Sequence, residues 1–290
     1  EASRYSRTPL GGVMYINPKK IALVTGASAG IGWDIAEYLN RKDFSVVAAA
    51  RRLERMQPLK EQGIYTIAID VGDLKSVDAA LECIVRDVGA IDILINNAAT
   101  KVMGPAALVP MADLRYLFDV NFFGLADLTQ KCLPHMQAQA WGRVINISSM
   151  GGLFCTPFNS PYSSAKFALE SWSRTLKQEV KKFGVEVSLI RPGSVKSEIF
   201  DNIVNQTKEE LAWTGEWQDV YSNFLKAMAK TQAEGADPVC VSEVVHEIIT
   251  SDSPRVGYIA PVDQEQRVVQ YIRETAEDER DSRGAAMFGL

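Results

Sequence analysis

Tyr162 and Lys166, in the segment Pro161 to Glu170 that reads Pro-Tyr-Ser-Ser-Ala-Lys-Phe-Ala-Leu-Glu, set a weak acid one helical turn from a cation. At that spacing the two side chains rise from one face of a helix. An unperturbed phenol titrates near ~10 and is a poor proton shuttle at neutral pH. A positive charge ~4 Å away, at an effective dielectric of about 20, stabilises the phenolate by about 4 kcal/mol, enough to bring the tyrosine near working pH as a general acid or base. The same spacing also describes a half-buried ring beside a solvated amine, so the surrounding residues must distinguish the two readings.

Upstream, Gly142 to Ser149 (Gly-Arg-Val-Ile-Asn-Ile-Ser-Ser) reads as a buried strand that delivers Ser148 and Ser149 at its tip. Gly151, Gly152, Pro157 and Pro161 follow, so the chain can turn back and bring Ser149 beside the tyrosine. A neutral hydroxyl there could hydrogen-bond a carbonyl oxygen without competing for the proton.

Nearer the amino terminus, Lys20 to Thr25 is another buried-strand run, followed by Gly-Ala-Ser-Ala-Gly-Ile-Gly from Gly26 to Gly32 and a helical stretch from Trp33 to Asn40. Strand, glycine turn and helix in that order suit a dinucleotide. Gly26 permits the sharp turn, Gly30 lets backbone approach a pyrophosphate, and Gly32 allows close helix packing, although the spacing is not GxGxxG. A second strand, Phe44 to Ala50, ends in Arg51-Arg52, where a site for NAD(H) would usually place an acid for the ribose 2′-hydroxyl. Arginine there suits a 2′-phosphate, so NADP(H) is favoured over NAD(H); a solvated corner of two exposed arginines is the alternative.

Apolar runs from Tyr65 to Ile69, Ile91 to Ile95 and Val185 to Ile190 each end in polar residues, and amphipathic stretches such as Leu74 to Val88 and Met111 to Gln137 lie between them. This alternation predicts an α/β fold with a Rossmann-like, doubly wound parallel sheet and ligands at the carboxyl ends of its strands.

The ordered motifs Thr25-Gly26-xxx-Gly30-Ile31-Gly32, Asp70-Val71, Asn96-Asn97-Ala98-Ala99, Asn121 in Asp-Val-Asn-Phe-Phe-Gly, Ser149, Tyr162-xxx-Lys166 and Pro192-Gly193 resemble the single-domain branch of the short-chain dehydrogenase/reductase family. The resemblance is dense from Lys20 to Arg191 and looser to about Pro261. It implies a catalytic tetrad: Asn121 holds a water and helps position Lys166, Lys166 binds the nicotinamide ribose and lowers the tyrosine pKa, Tyr162 transfers the proton, and Ser149 orients the substrate oxygen. It also implies that Asp70 and Val71 border the adenine and that Asn96 and Ala98 line the cofactor. Ser28, Ile31, Asn97, Pro192, Gly193 and Val195 join them, and Ser197 supplies a hydroxyl for the carboxamide where the family often has threonine. Ala99 stands where the family often has glycine; neither change removes a catalytic group.

The segment Gly151 to Asn159 resembles that of hydroxysteroid and retinol dehydrogenases in the family, which implies an alcohol or ketone on a sizeable apolar body. Met103, Leu153, Phe154, Phe158 and Phe200 are the candidate apolar contacts, with Ser149 on the reacting oxygen. Residues 194–238 break the strand-helix pattern and carry Trp213, Trp217, Tyr221 and Phe224. They are read as a substrate lid, or else as amphipathic helices packed on the domain edge. An epimerase or dehydratase on the same fold, and a non-catalytic NADP(H)-binding regulator, are the alternative functions.

A net charge of −5, from 31 basic and 36 acidic residues, disfavours nucleic acid and anionic membrane as partners, and no apolar run is long enough to span a bilayer. Four scattered cysteines suit a reducing, cytoplasmic setting and give no metal pattern. The expected organisation is a leader or extension over 1–18, one dehydrogenase domain over 19–263, and a helix with a solvated tail over 264–290. The tail could instead reach a neighbouring subunit. The family resemblance implies a homodimer or homotetramer built through the two long helices.

Overall fold

The computed structural model describes residues 5–7, 13–15, 19–200 and 211–286. Near the amino terminus β1 (Tyr5–Arg7) pairs antiparallel with β2 (Val13–Tyr15), a pairing that hydrophobic patterning does not announce. The main sheet has seven strands in the order β5-β4-β3-β6-β7-β8-β9, every neighbouring pair parallel. Its strands are β3 (Ile21–Thr25), β4 (Ser45–Ala50), β5 (Tyr65–Ala68), β6 (Ile93–Asn96), β7 (Gly142–Ile147), β8 (Val185–Pro192) and β9 (Gly257–Ala260). The order reverses between β3 and β6, which opens a crevice at their carboxyl ends.

Both faces of the sheet are covered, which is why the strands read as continuous apolar runs. Along β3, Ala22 and Val24 point into a core shared with Ile35 and Leu39 of α1 (Gly30–Arg41) and Val244, Val245 and Ile248 of α8 (Val239–Thr250). The alternate residues Ile21 and Leu23 join Val77 and Ile84 of α3 (Leu74–Asp87), Leu128 and Met136 of α5 (Gly124–Ala138), and Leu176 of α6 (Ser160–Val180). The short α2 (Gln57–Glu61) follows β4.

The stretch expected as one helix from Met111 to Gln137 is α4 (Met111–Phe118) and α5 joined by a π-helical turn, Asp119–Phe123. Gly124 sits just past that turn, where a Cβ would collide with the carbonyl oxygen of Val71. The helix therefore crosses the β5–α3 connection at backbone distance, and Asn121 projects from the widened turn into the protein interior.

In the expected lid, residues 211–238 form a 3₁₀ turn, Ala212–Trp217, and α7 (Gln218–Ala233). The carboxyl-terminal stretch is helical in two pieces, α9 (Glu265–Glu274) and α10 (Glu277–Ala286). The remaining lid residues, 201–210, and the side chain of Phe200 lie outside the described residues.

Candidate active site

The site is assembled where the carboxyl ends of β3, β4, β6, β7 and β8 meet. Thr25 closes the tip of β3: its hydroxyl accepts from the backbone N–H groups of Asn97 and Ala98, both at 3.0 Å, and the Asn97 side-chain amide donates back to Thr25 O at 2.9 Å. Gly26 and Gly30 take φ of +70° and +55°, a region that favours glycine. A Cβ on Gly26 would lie 2.8 Å from the Cα of Ala98, and one on Gly32 would lie 2.5 Å from Gly26 O. These glycines therefore fix how closely α1 approaches the strand tips.

The result is a cleft of about 620 Å³. On its wall stand Gly26, Ser28, Gly30, Ile31, Gly32, Arg51, Arg52, Asp70, Val71, Asn97, Ala98, Ser149, Tyr162, Lys166, Pro192, Gly193, Val195 and Ser197, which the sequence proposed for cofactor or chemistry. A nicotinamide dinucleotide fits this donor set. Above Gly30 the missing side chain leaves Ser197 Cβ 3.4 Å from where a Cβ would sit, a backbone-lined cradle opposite the β8 loop.

At the β4 end, Arg51 donates to the Tyr116 hydroxyl at 2.7 Å and Arg52 to the Ser28 hydroxyl at 3.4 Å. Arg55, not singled out from sequence, adds a third guanidinium. It donates to Glu198 across the cleft at 2.6 Å, and Arg52 lies 3.9 Å from the same carboxylate. Gln232 of α7, also unanticipated, donates to Val195 O at 3.0 Å and to Ser197 O at 2.8 Å, fixing the loop after β8. Neither could be found by motif, because each acts on a partner more than 30 residues away in the chain.

In the candidate catalytic group, Tyr162 and Lys166 are buried on α6. Burial pushes the Tyr162 phenol up to about 12, partly opposed by a hydrogen bond with Ser149. Burial also pulls the Lys166 amine down to about 8, against the attraction of Glu170 one turn along. Lys166 donates to Ile147 O at 2.7 Å, and its Nζ stands 5.6 Å from the centre of the Tyr162 ring. The direct stabilisation of the phenolate expected from helical spacing is thus weaker than burial in the free protein, because the strand carbonyl holds the amine aside. Ser149 Oγ accepts from Gly151 N–H at 3.1 Å, and that turn fixes the hydroxyl beside the phenol.

One expected cofactor contact lies elsewhere. Asn96 is not on the cleft wall: its amide donates to Thr129 Oγ1 and Asn146 Oδ1, each at 2.9 Å, in a buried network behind the strand tip. Strand alternation explains this, since Asn96 and Asn97 face opposite ways. Asn121 also stands behind the wall, and its side-chain amide clamps Thr100, accepting from the backbone N–H and donating to the carbonyl, both at 2.8 Å. It positions the loop that carries Lys101.

The apolar candidates are grouped apart from the cleft. Met103 and Phe158 join Tyr221, Phe224 and Trp217 in an aromatic cluster beneath α7. Phe158 has φ +61° there, uncommon for a bulky residue, and its carbonyl accepts from Gly104 N–H at 2.8 Å. Phe154 meets Tyr271 of α9 edge to face at 6.4 Å, with Leu153 beside it in sequence.

A crevice at the switch point of a parallel sheet, with a glycine cradle and a Ser-Tyr-Lys group, defines a dinucleotide-dependent oxidoreductase. Residues 20–208 match the family model for short chain dehydrogenases, and the chain belongs to that family. It is similar to an uncharacterized oxidoreductase, YusZ, of Bacillus subtilis, 35% identical over 80% of this chain and 85% of the relative. It is also similar to an NADPH-dependent 3-dehydrocapnine reductase of Ornithobacterium rhinotracheale, 32% identical over 83% of this chain and 87% of the relative. Among solved structures, the closed form of a serine dehydrogenase complexed with NADP+ superposes with a TM-score of 0.70 at 28% identity, covering 84% of this chain and 96% of that one.

Proposed function

We propose that the protein is an NADP(H)-dependent reductase or dehydrogenase that interconverts a ketone or aldehyde and an alcohol on a sizeable apolar body. The observation that carries this reading is the grouping of Ser149, Tyr162 and Lys166 on a cleft wall that also holds the glycine cradle. Gly26, Gly30, Asp70, Asn97, Pro192 and Ser197 would hold the dinucleotide, with Arg51 and Arg52 on its 2′-phosphate and Arg55 close by. When bound, the nicotinamide supplies or accepts hydride at the carbon of the carbonyl.

The phenol and the serine hydroxyl both donate to the carbonyl oxygen. A phenol near 12 keeps its proton at neutral pH, which is the state reduction needs. As the carbonyl carbon gains hydride, the oxygen takes the phenolic proton. Ser149 holds the oxygen in line, and Lys166 supplies positive charge beside the phenolate that forms. In balance, ketone, NADPH and a proton give alcohol and NADP+. The relative named as an NADPH-dependent reductase and the NADP+ complex of the structural relative support the cofactor choice.

The resemblance of Gly151 to Asn159 to the same segment of hydroxysteroid and retinol dehydrogenases supports an apolar substrate body, while the closed cluster of Met103, Phe158, Trp217, Tyr221 and Phe224 packs outside the cleft wall. Each methylene of such a body that binding buries contributes roughly 0.8 kcal/mol, about fourfold in binding. A panel of ketones followed by NADPH absorbance tests this. Octanone-sized and larger ketones should exceed acetone by at least about a hundredfold in kcat/KM; equal rates would refute the apolar body.

A further inference from the structure

The loop after β8 carries a carboxylate across the cleft to the end of β4. Glu198 Oε2 accepts from Arg55 Nη1 at 2.6 Å and lies 3.9 Å from Arg52 Nη2. Arg52 and Arg55 belong to one turn: the Arg55 N–H donates to Arg52 O at 3.2 Å, and the fully buried Met56 fastens that turn to the core. All three charged side chains line the cleft that holds the glycine cradle.

Most ion pairs as exposed as this one contribute little, because two mobile side chains must be held together. Here the backbone on both sides of Glu198 is already placed. Gln232 donates to Val195 O and Ser197 O, Ser197 Cβ lies 3.4 Å from where a Cβ on Gly30 would sit, and Ile199 packs against the cluster of Leu117, Tyr162 and Ala165. Glu198 stands between these two anchored neighbours, so an anion of the protein's own faces an arginine proposed for the 2′-phosphate. A phosphate and a carboxylate cannot both keep the same guanidiniums at short range: each withdraws charge that the other needs, and the two anions repel. A ribose with a 2′-hydroxyl brings no such charge.

We propose that Glu198 sets cofactor discrimination as an internal competitor: it pairs with Arg55 and Arg52, and the 2′-phosphate of NADP(H) must displace it. The carboxylate therefore weakens NADP(H) and leaves NAD(H) alone, and its displacement frees Arg55 for the phosphate. The inference rests on the NADP(H) reading and qualifies it, because the preference is smaller than the arginines by themselves would give. Affinity for the phosphorylated ribose is reduced by the fraction of time that the arginines are taken.

Calorimetric titration of wild type and Glu198→Gln with 2′,5′-ADP and with 5′-AMP tests this, since adenine and the 5′-phosphate are common to both ligands. Glutamine keeps the size of the side chain and removes its charge. The affinity ratio of 2′,5′-ADP over 5′-AMP should rise about threefold to tenfold in Glu198→Gln, with 5′-AMP itself within about twofold of wild type. A gain of affinity for one ligand is not what a damaged loop produces. The gain should shrink when sodium chloride is raised to about 0.5 M, and a gain that salt leaves intact would overturn the proposal. If wild type favours 2′,5′-ADP and Glu198→Gln leaves the ratio unchanged or lower, the proposal fails and the NADP(H) reading stands. If wild type binds the two ligands alike and Glu198→Gln comes to favour 2′,5′-ADP, competition is upheld and the NADP(H) preference of wild type fails. If neither protein discriminates, both fail. Weakening of both ligands by a common factor would make Glu198 a clasp over the dinucleotide and would likewise overturn the proposal.

Discussion

At Tyr162 two opposing influences meet: burial favours the neutral phenol, and the Ser149 hydroxyl favours the phenolate. Burial is the larger, so the free protein holds a proton donor. Alcohol oxidation, which needs the phenolate, should accelerate as pH rises above neutrality, whereas ketone reduction should not gain from alkali. Parallel pH-rate profiles in the two directions check this, and a reductive rate that climbs with pH would refute it. Replacing Tyr162 by Phe keeps the ring and removes the proton, so kcat should fall about a thousandfold while NADPH affinity stays within a few fold. Arg51→Asp sets a carboxylate where the 2′-phosphate is proposed to sit. Calorimetric titration should give NADPH binding weaker by about tenfold to a hundredfold and NADH nearly unchanged; wild type binding both cofactors equally would remove Arg51 from that role. Residue types and local spacing were enough to single out Tyr162, Lys166 and Ser149, which the structure brings onto one cleft wall. They could not find Lys101, Arg55 or Gln232, because nothing in the neighbouring sequence marks a lone charged or amide side chain as facing a cleft.

At the scale of elements, α6 carries the proposed catalytic pair and must be held against β8, whose end leads into Gly193. Glu170, one turn beyond Lys166, receives two hydrogen bonds from Arg191 of β8, at 2.8 and 2.7 Å, and both residues are buried. Removing one partner of such a pair leaves a buried charge uncompensated. Glu170→Ala should therefore destabilise the fold by about 3 to 5 kcal/mol in urea denaturation. A loss below about 1 kcal/mol would mean that the helix is held elsewhere. The strands and α1 were legible because period and glycine placement are local signals. The π-helical turn at Asp119–Phe123 was not, since apolar periodicity continues across it and only the close approach of Gly124 to Val71 requires it. Strand β9 also escaped: Gly257–Ala260 is four residues long and its pairing partner in β8 is distant in the chain.

For the whole molecule, the parallel sheet could be read from strand-helix alternation, but which surfaces stay open could not. Helices α4 and α6 and the π-helical turn leave Met111, Tyr116, Phe123 and Phe167 exposed, with Phe123 at 56%. If this side meets a second copy, light scattering will report a dimer or tetramer at micromolar concentration, and Phe123→Asp will shift it towards monomer; a monomeric wild type would exclude that assembly. Among the described residues no helix is long and apolar enough to cross a membrane. The central claim, hydride exchange between a nicotinamide and a carbonyl carbon, is tested most directly by isotope transfer. NADPH deuterated at carbon 4, on each face in turn, is incubated with enzyme and a bulky ketone, and the product alcohol is examined by mass spectrometry and NMR. One deuterium should appear on the carbinol carbon, from one face only. An alcohol without deuterium from either cofactor, or a full ketone panel left unreduced, would contradict it.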